Sequence, residues 1–145
     1  MEFTATVTRI TPVNVRDKVI DAGCAVKKGV LAKGIAGVTS MKNGPCITVS
    51  QDLSEEWQRV TIAAIVAEIL DAGEMLHVIA EGSMDDPPRT TELARSLLMP
   101  KEDFKAAYTA MRNAQPIRPA LLAKGFKVPL GEVMLRIRDL FPEDL

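Results

Sequence analysis

Apolar and polar positions alternate at the start of the chain. Phe3, Ala5 and Val7 interleave with Thr4, Thr6 and Thr8, the period of a half-buried strand. Thr11-Pro12 then reads as an N-cap followed by proline in the first helical turn. Val13, Val15, Val19 and Ile20 continue that helix, and Gly23 stops it. Gly29, Gly34 and Gly37 predict a loop-rich connection. Residues 35–41 and 46–50 are short and β-compatible, and the intervening Lys42-Asn43-Gly44-Pro45 carries the Asn-Gly signal of a hairpin turn.

Beyond the hairpin the period changes from strand to helix. Asp52 and Ser54 are both suitable N-caps, and the helix they open runs to Leu70 or Ala72, with Gly73 as its stop. Residues 81–88 form a polar loop ending in Pro87-Pro88. Thr90-Thr91-Glu92 starts another helix, which ends near Leu98-Met99-Pro100, and a further one covers residues 101–113. Pro116 and Pro119 break the chain, and Leu121, Leu122 and Phe126 lead into a last amphipathic helix over residues 130–140. A small N-terminal antiparallel sheet followed by helices is an α+β layout, predicted to form a single domain over residues 1–145.

Composition narrows the chemistry. With 47% hydrophobic and 26% charged residues, the 145-residue chain has the make-up of a soluble globular protein. A net charge of −1, from 18 basic and 19 acidic side chains, argues against a protein built to grip phosphate backbones. Arg112, Arg118, Lys124, Lys127, Arg136 and Arg138 gather late in the chain, where Glu132 and Asp139 interleave with them as on a solvated face. Cys24 and Cys46 stand far apart with no C-x-x-C pair, so both are expected to pack as free thiols. No basic stretch followed by an apolar one opens the sequence, and the longest strictly apolar run, residues 62–67, is too short to span a bilayer. A cytoplasmic location and no membrane partner are the expectation. No Gly-rich phosphate loop and no nucleophile elbow is present.

Four separated segments are similar to one family. Ile35-Ala36-Gly37-Val38 and Cys46-Ile47-Thr48-Val49-Ser50 form a strand pair ahead of a helix. Glu56-Trp57-Gln58-Arg59-Val60-Thr61-Ile62-Ala63 looks like an R-F-T-I-A lead-in to H-E-x-x-H. Leu93-Ala94-Arg95-Ser96-Leu97-Leu98-Met99-Pro100 is similar to F-A-x-x-L-L-M-P. Leu122-Ala123-Lys124-Gly125-Phe126-Lys127-Val128-Pro129, with residues 135–140 after it, resembles L-A-x-x-F-x-V-S and R-L-x-x-L. In this order and spacing, from about residue 35 onward, the chain resembles the ImmA/IrrE metallopeptidases. The resemblance implies a zincin-like α+β core and a cytoplasmic regulator of phages, mobile elements or stress responses. It also implies a helix-turn-helix repressor or antitoxin as partner.

The same resemblance places the family's catalytic positions on residues that cannot do the chemistry. The first zinc-ligand His falls on Ala64, the general-base Glu on Ile65 and the second His on Glu68. The third ligand falls near Pro87, Pro88 or Arg89, and a gap shift brings Asp85 or Asp86 there instead. The chain has a single histidine, His77, so a two-His site is out of reach within one subunit. Losing both His and the base removes water activation and proton transfer together. The expectation is therefore a protein-binding pseudopeptidase with no cofactor. Ala64, Ile65 and Glu68 would line its former active-site pocket, and Glu68 and His77 are candidate partner contacts.

Glu68 would be the pocket's one charge, facing solvent, a cleft or a basic neighbour, because burying a carboxylate unpaired is costly. The alternative is a metal enzyme with relocated ligands, Glu68 and His77 with Asp85 or Asp86. Glu74-x-x-His77 has the spacing of a carboxylate–histidine ligand pair, although Gly73 predicts that the helix stops short of it. A third reading, direct nucleic-acid binding by the late basic set, runs against the near-neutral charge. Leu97, Met99 and Leu140-Phe141 are expected in the core.

Overall fold

In the computed structural model the described residues are 23–42, 44–74, 77–114 and 118–144, together with Pro12 and Asn14. The strand expected over residues 3–8 and most of the helix expected after Thr11 lie outside them. Contacts divide the chain into two compact units, one running Asn14–Leu97 and the other built on Leu98–Leu145.

In the first unit, four strands form one sheet: β1 Ala25–Gly29, β2 Ile35–Ser40, β3 Cys46–Ser50 and β4 Ile79–Glu81. Their order is β1-β3-β2-β4. β2 and β3 pair antiparallel from Gly37↔Val49 to Ser40↔Cys46, the hairpin that the Asn-Gly turn predicts. Gly44 closes that turn at φ 97°, with its N–H donating to Met41 O at 3.1 Å. β1 pairs with β3 in parallel, from Ala25↔Cys46 to Gly29↔Ser50, so the sheet is mixed and not antiparallel as predicted. Gly29 and Gly37 accordingly lie in strands, and of the three glycines assigned to a loop only Gly34, at φ 82°, sits in a turn. β1 escapes prediction because its Ala25, Lys27 and Lys28 are exposed and only Val26 is buried, which leaves no alternation to detect.

The long helix α1, Glu55–Ala72, packs on β2, β3 and β4. Ser54 is its N-cap: Oγ accepts from the Trp57 N–H at 3.3 Å, which satisfies one of the first turn's orphan donors. Glu55 and Glu56 complement the positive end of the helix dipole. Gly73 ends the helix in the left-handed region at φ 76°, donating to Ile69 O and Leu70 O. Gln58, residues 60–63 and residues 65–67 are buried, so α1 is covered on most sides. The helix comes close to the sheet at Gly37, where a Cβ would meet Thr61 Cγ2 at 2.8 Å and Ile65 Cδ1 at 3.0 Å. A short helix, α2 Glu92–Leu98, closes this unit; Thr91 Oγ1 accepts from the Ala94 N–H at 3.2 Å at its start.

The second unit is helical: α3 Lys101–Ala114, α4 Pro119–Phe126, α5 Leu130–Leu140 and a 3-10 turn, Pro142–Asp144. Phe104, Tyr108 and Phe126 are buried together, with ring centroids 6.1 Å apart for Phe104–Tyr108 and 5.7 Å for Phe104–Phe126. Leu122, Val133 and Ile137 complete the core. Met99 is fully buried, as expected of a core position, whereas Leu97, Leu140 and Phe141 are only half-buried, the Phe141 ring centroid lying 4.5 Å from that of Tyr108. α4 is a helix where only a lead-in was predicted; Gly125 weakens its pattern, and the left-handed cap at φ 56° is Lys127 instead of glycine.

The late basic set is not one solvated face. Arg136 and Glu132 are 2% and 4% exposed; Arg136 Nε donates to Met99 O at 3.0 Å and its Nη1 lies 3.6 Å from Asp139 Oδ2. Arg112 is drawn to Asp144 at 2.8 Å. Among the described residues no helix is long and apolar enough to cross a membrane.

Candidate functional site

Where α1 passes the end of the sheet, its face is small and then acidic. Ala64 is half-buried, Ile65 is fully buried and Glu68, one turn after Ala64, is exposed. β4 stands beside this turn. Its start is fixed by a reciprocal pair: Val78 N donates to Thr39 Oγ1 at 2.7 Å, and Thr39 N donates to Val78 O at 3.0 Å.

The loop after β4 folds back as a wall. Gly82 donates to Gly34 O at 2.8 Å and takes φ 152°, with Pro88 so close that a Cβ would lie 2.7 Å from the proline's N, Cγ and Cδ. Only glycine fits that conformation and that contact. Ser83 N donates to Asp86 O at 3.0 Å while Asp86 N donates to Ser83 Oγ at 3.1 Å, which closes the loop on itself. Met84 Sδ accepts from Ser54 N at 3.4 Å, tying the loop tip to the start of α1. At the loop's exit, the 5%-exposed Arg95 donates to Thr90 O at 2.9 Å and Thr90 Oγ1 at 3.1 Å.

These elements enclose a pocket of about 590 Å³. Its apolar part comes from Ala64, Ile65, Val78 and Pro88, and its charges are Glu68, Glu81, Asp86 and Arg89. Glu68 is therefore not the one charge there. All four charged side chains are exposed, and none forms an ion pair among the described residues. Glu81 carries no signal in the sequence because β4 is three residues long, too short to show a period.

No protein-family model, curated protein or solved structure matches this chain at a significant level.

The pocket brings together most of the residues singled out in the sequence. Ala64, Ile65 and Glu68 line it, and so do Asp86, Pro87, Pro88 and Arg89 from a stretch about twenty positions later. His77 and Asp85 are exposed and do not line it. The relocated ligand set of Glu68, His77 and Asp85 or Asp86 is thus not gathered. Among the described residues no three His, Cys, Asp or Glu side chains come together to hold a metal ion. The helix ends at Ala72 with Gly73 as its cap, so Glu74 and His77 lie outside it.

The donor set does not fit the zinc ion that the family resemblance implies. The two positions at the heart of the motif, Ala64 and Ile65, carry no donor atom, and no His or Cys lines the pocket. Cys24 is not set up as a nucleophile. Cys24 is buried, and burial raises its thiol above the ordinary value, with Cys46 adding to the rise. What the pocket offers is an apolar floor, carboxylates at its mouth and the edge of a sheet along one side.

Proposed function

We propose that the chain is a degenerate ImmA/IrrE-like pseudopeptidase, a cytoplasmic regulatory module that works by holding another protein. Its partner is a helix-turn-helix regulator of a phage, mobile element or stress response. One observation carries the reading. The helix positions Ala64, Ile65 and Glu68 and the loop positions Pro87, Pro88 and Arg89, paired only through the family motif, line the same pocket. That convergence supports a peptidase-like groove built around positions that lack the water-activating chemistry. Binding by occupancy needs the frame alone: a segment that enters the pocket is held and not cut.

Co-purification tests it. Tagged wild-type chain and a Glu68→Arg variant are recovered from the native host, and the retained proteins are identified and weighed intact. The expected result is an intact helix-turn-helix regulator on the wild type and its loss from the variant. A regulator recovered as fragments, or zinc at one ion per purified chain, contradicts the proposal.

A further inference from the structure

β4 ends the sheet among the described residues, since the order is β1-β3-β2-β4. Val78 O accepts from Thr39 N and Gly82 N donates to Gly34 O, so residues 78 and 82 turn their backbone groups toward β2. Strand alternation then turns the N–H and C=O of Ile79 and Glu81 outward, away from the sheet. The Ile79 side chain is 54% exposed beside them. Such an edge is a template for one more strand. It runs along a pocket whose charges are the carboxylates of Glu68, Glu81 and Asp86 against the single guanidinium of Arg89.

We propose that the occupant of this groove is an extended protein segment rich in Lys or Arg, which adds to β4 as a strand. Its backbone pairs with Ile79 and Glu81. Its side chains on the α1 face of the sheet then project over the pocket, where ammonium or guanidinium groups meet Glu68 and Asp86. The proposal rests on the groove reading above and adds the chemistry of the partner.

The test uses the full chain and short fluorescent peptides of alternating Val and Lys, Val and Gln, or Val and Glu. The Lys peptide is expected to bind about tenfold tighter than the Gln peptide, the product of two rim charge pairs at Glu68 and Asp86, with the Glu peptide weakest. Glu68→Gln and Asp86→Asn, both at exposed positions, each narrow the preference by about two- to fivefold, and Arg89→Gln widens it. N-methylating the peptide amides that face β4 abolishes binding, whereas N-methylating the alternate set leaves it. If the Gln or Glu peptide binds as well as the Lys peptide while N-methyl sensitivity persists, the basic-segment proposal is overturned and the groove reading stands. If no peptide binds, or neither N-methyl set matters, the groove reading fails and this proposal with it.

Discussion

Around the pocket of the first unit Glu68, Glu81, Asp86 and Arg89 are exposed and make no ion pair among the described residues. In the second unit Arg112, Arg136, Asp139 and Asp144 are engaged. Arg136 is 2% exposed and bonded to Met99 O, with Asp139 at 3.6 Å. Asp144 accepts from both Tyr108 Oη and Arg112 Nη1 at 2.8 Å. The Arg112 guanidinium also lies 5.4 Å from the Phe141 ring centroid and 5.7 Å from that of Tyr108. The difference separates two uses of charge. A buried or clasped charge has partners to lose, so replacing it costs stability. An exposed, unpaired charge at a pocket mouth costs the fold little and is available to a partner.

That contrast breaks most sharply at Arg136. Arg136→Ala removes the donor to the Met99 carbonyl and the cation beside the Asp139 carboxylate, and is expected to destabilise by about 3–5 kcal/mol in urea unfolding. A loss under about 1 kcal/mol would place Arg136 with the pocket charges instead.

Gly82→Val comes next. It puts a branched side chain at φ 152° against Pro88, for a cost of about 1–3 kcal/mol from the backbone alone. Because Gly82 shapes the pocket wall, the variant is expected to lose partner binding even at temperatures where circular dichroism shows it folded.

The clasp gives a smaller, pH-resolved effect. Burial, followed by the hydrogen bond to Asp144, pushes the Tyr108 phenol up to about 12. Its folded value is raised above the unfolded one, so its contribution is complete below about pH 10 and is lost as pH rises toward about 12. The Tyr108 hydrogen bond, followed by Arg112, holds the Asp144 carboxyl below its ordinary value. That contribution is present above the usual carboxylate range and is lost as pH falls through it. Tyr108→Phe is expected to lower Tm at neutral pH and to flatten the alkaline fall, measured by thermal melts across pH. An unchanged alkaline limb would mean that the phenol does not report the clasp.

Glu68→Gln is expected to change stability by no more than about 0.5 kcal/mol while weakening partner binding. A stability loss as large as that of Arg136→Ala would erase the distinction between the two regions.

The two regions are unequally legible in the amino-acid sequence. The frame of α1 is readable because its punctuation is local: Ser54 caps it and Gly73 ends it. The β2–β3 hairpin is readable from its turn. β1 and β4 are not, since a strand with two exposed lysines and one of three residues carry no usable alternation, and their pairing is set by tertiary contact. At the pocket, motif spacing points to Ala64, Ile65 and Glu68 and to the loop at residues 85–89, of which Asp85 stays outside the pocket. Glu81 is invisible because nothing in the sequence says that β4 runs beside α1. Arg136 and Glu132 look like surface charges because spacing on an amphipathic helix does not tell a solvated position from a buried, paired one.

Native mass spectrometry of the purified chain mixed with its co-purified regulator bears most directly on the claim that this pocket holds without cutting. A complex at the sum of two intact masses, with no bound zinc, is expected for the wild type and is lost for Glu68→Arg. Regulator fragments, or one zinc ion per chain, would contradict it.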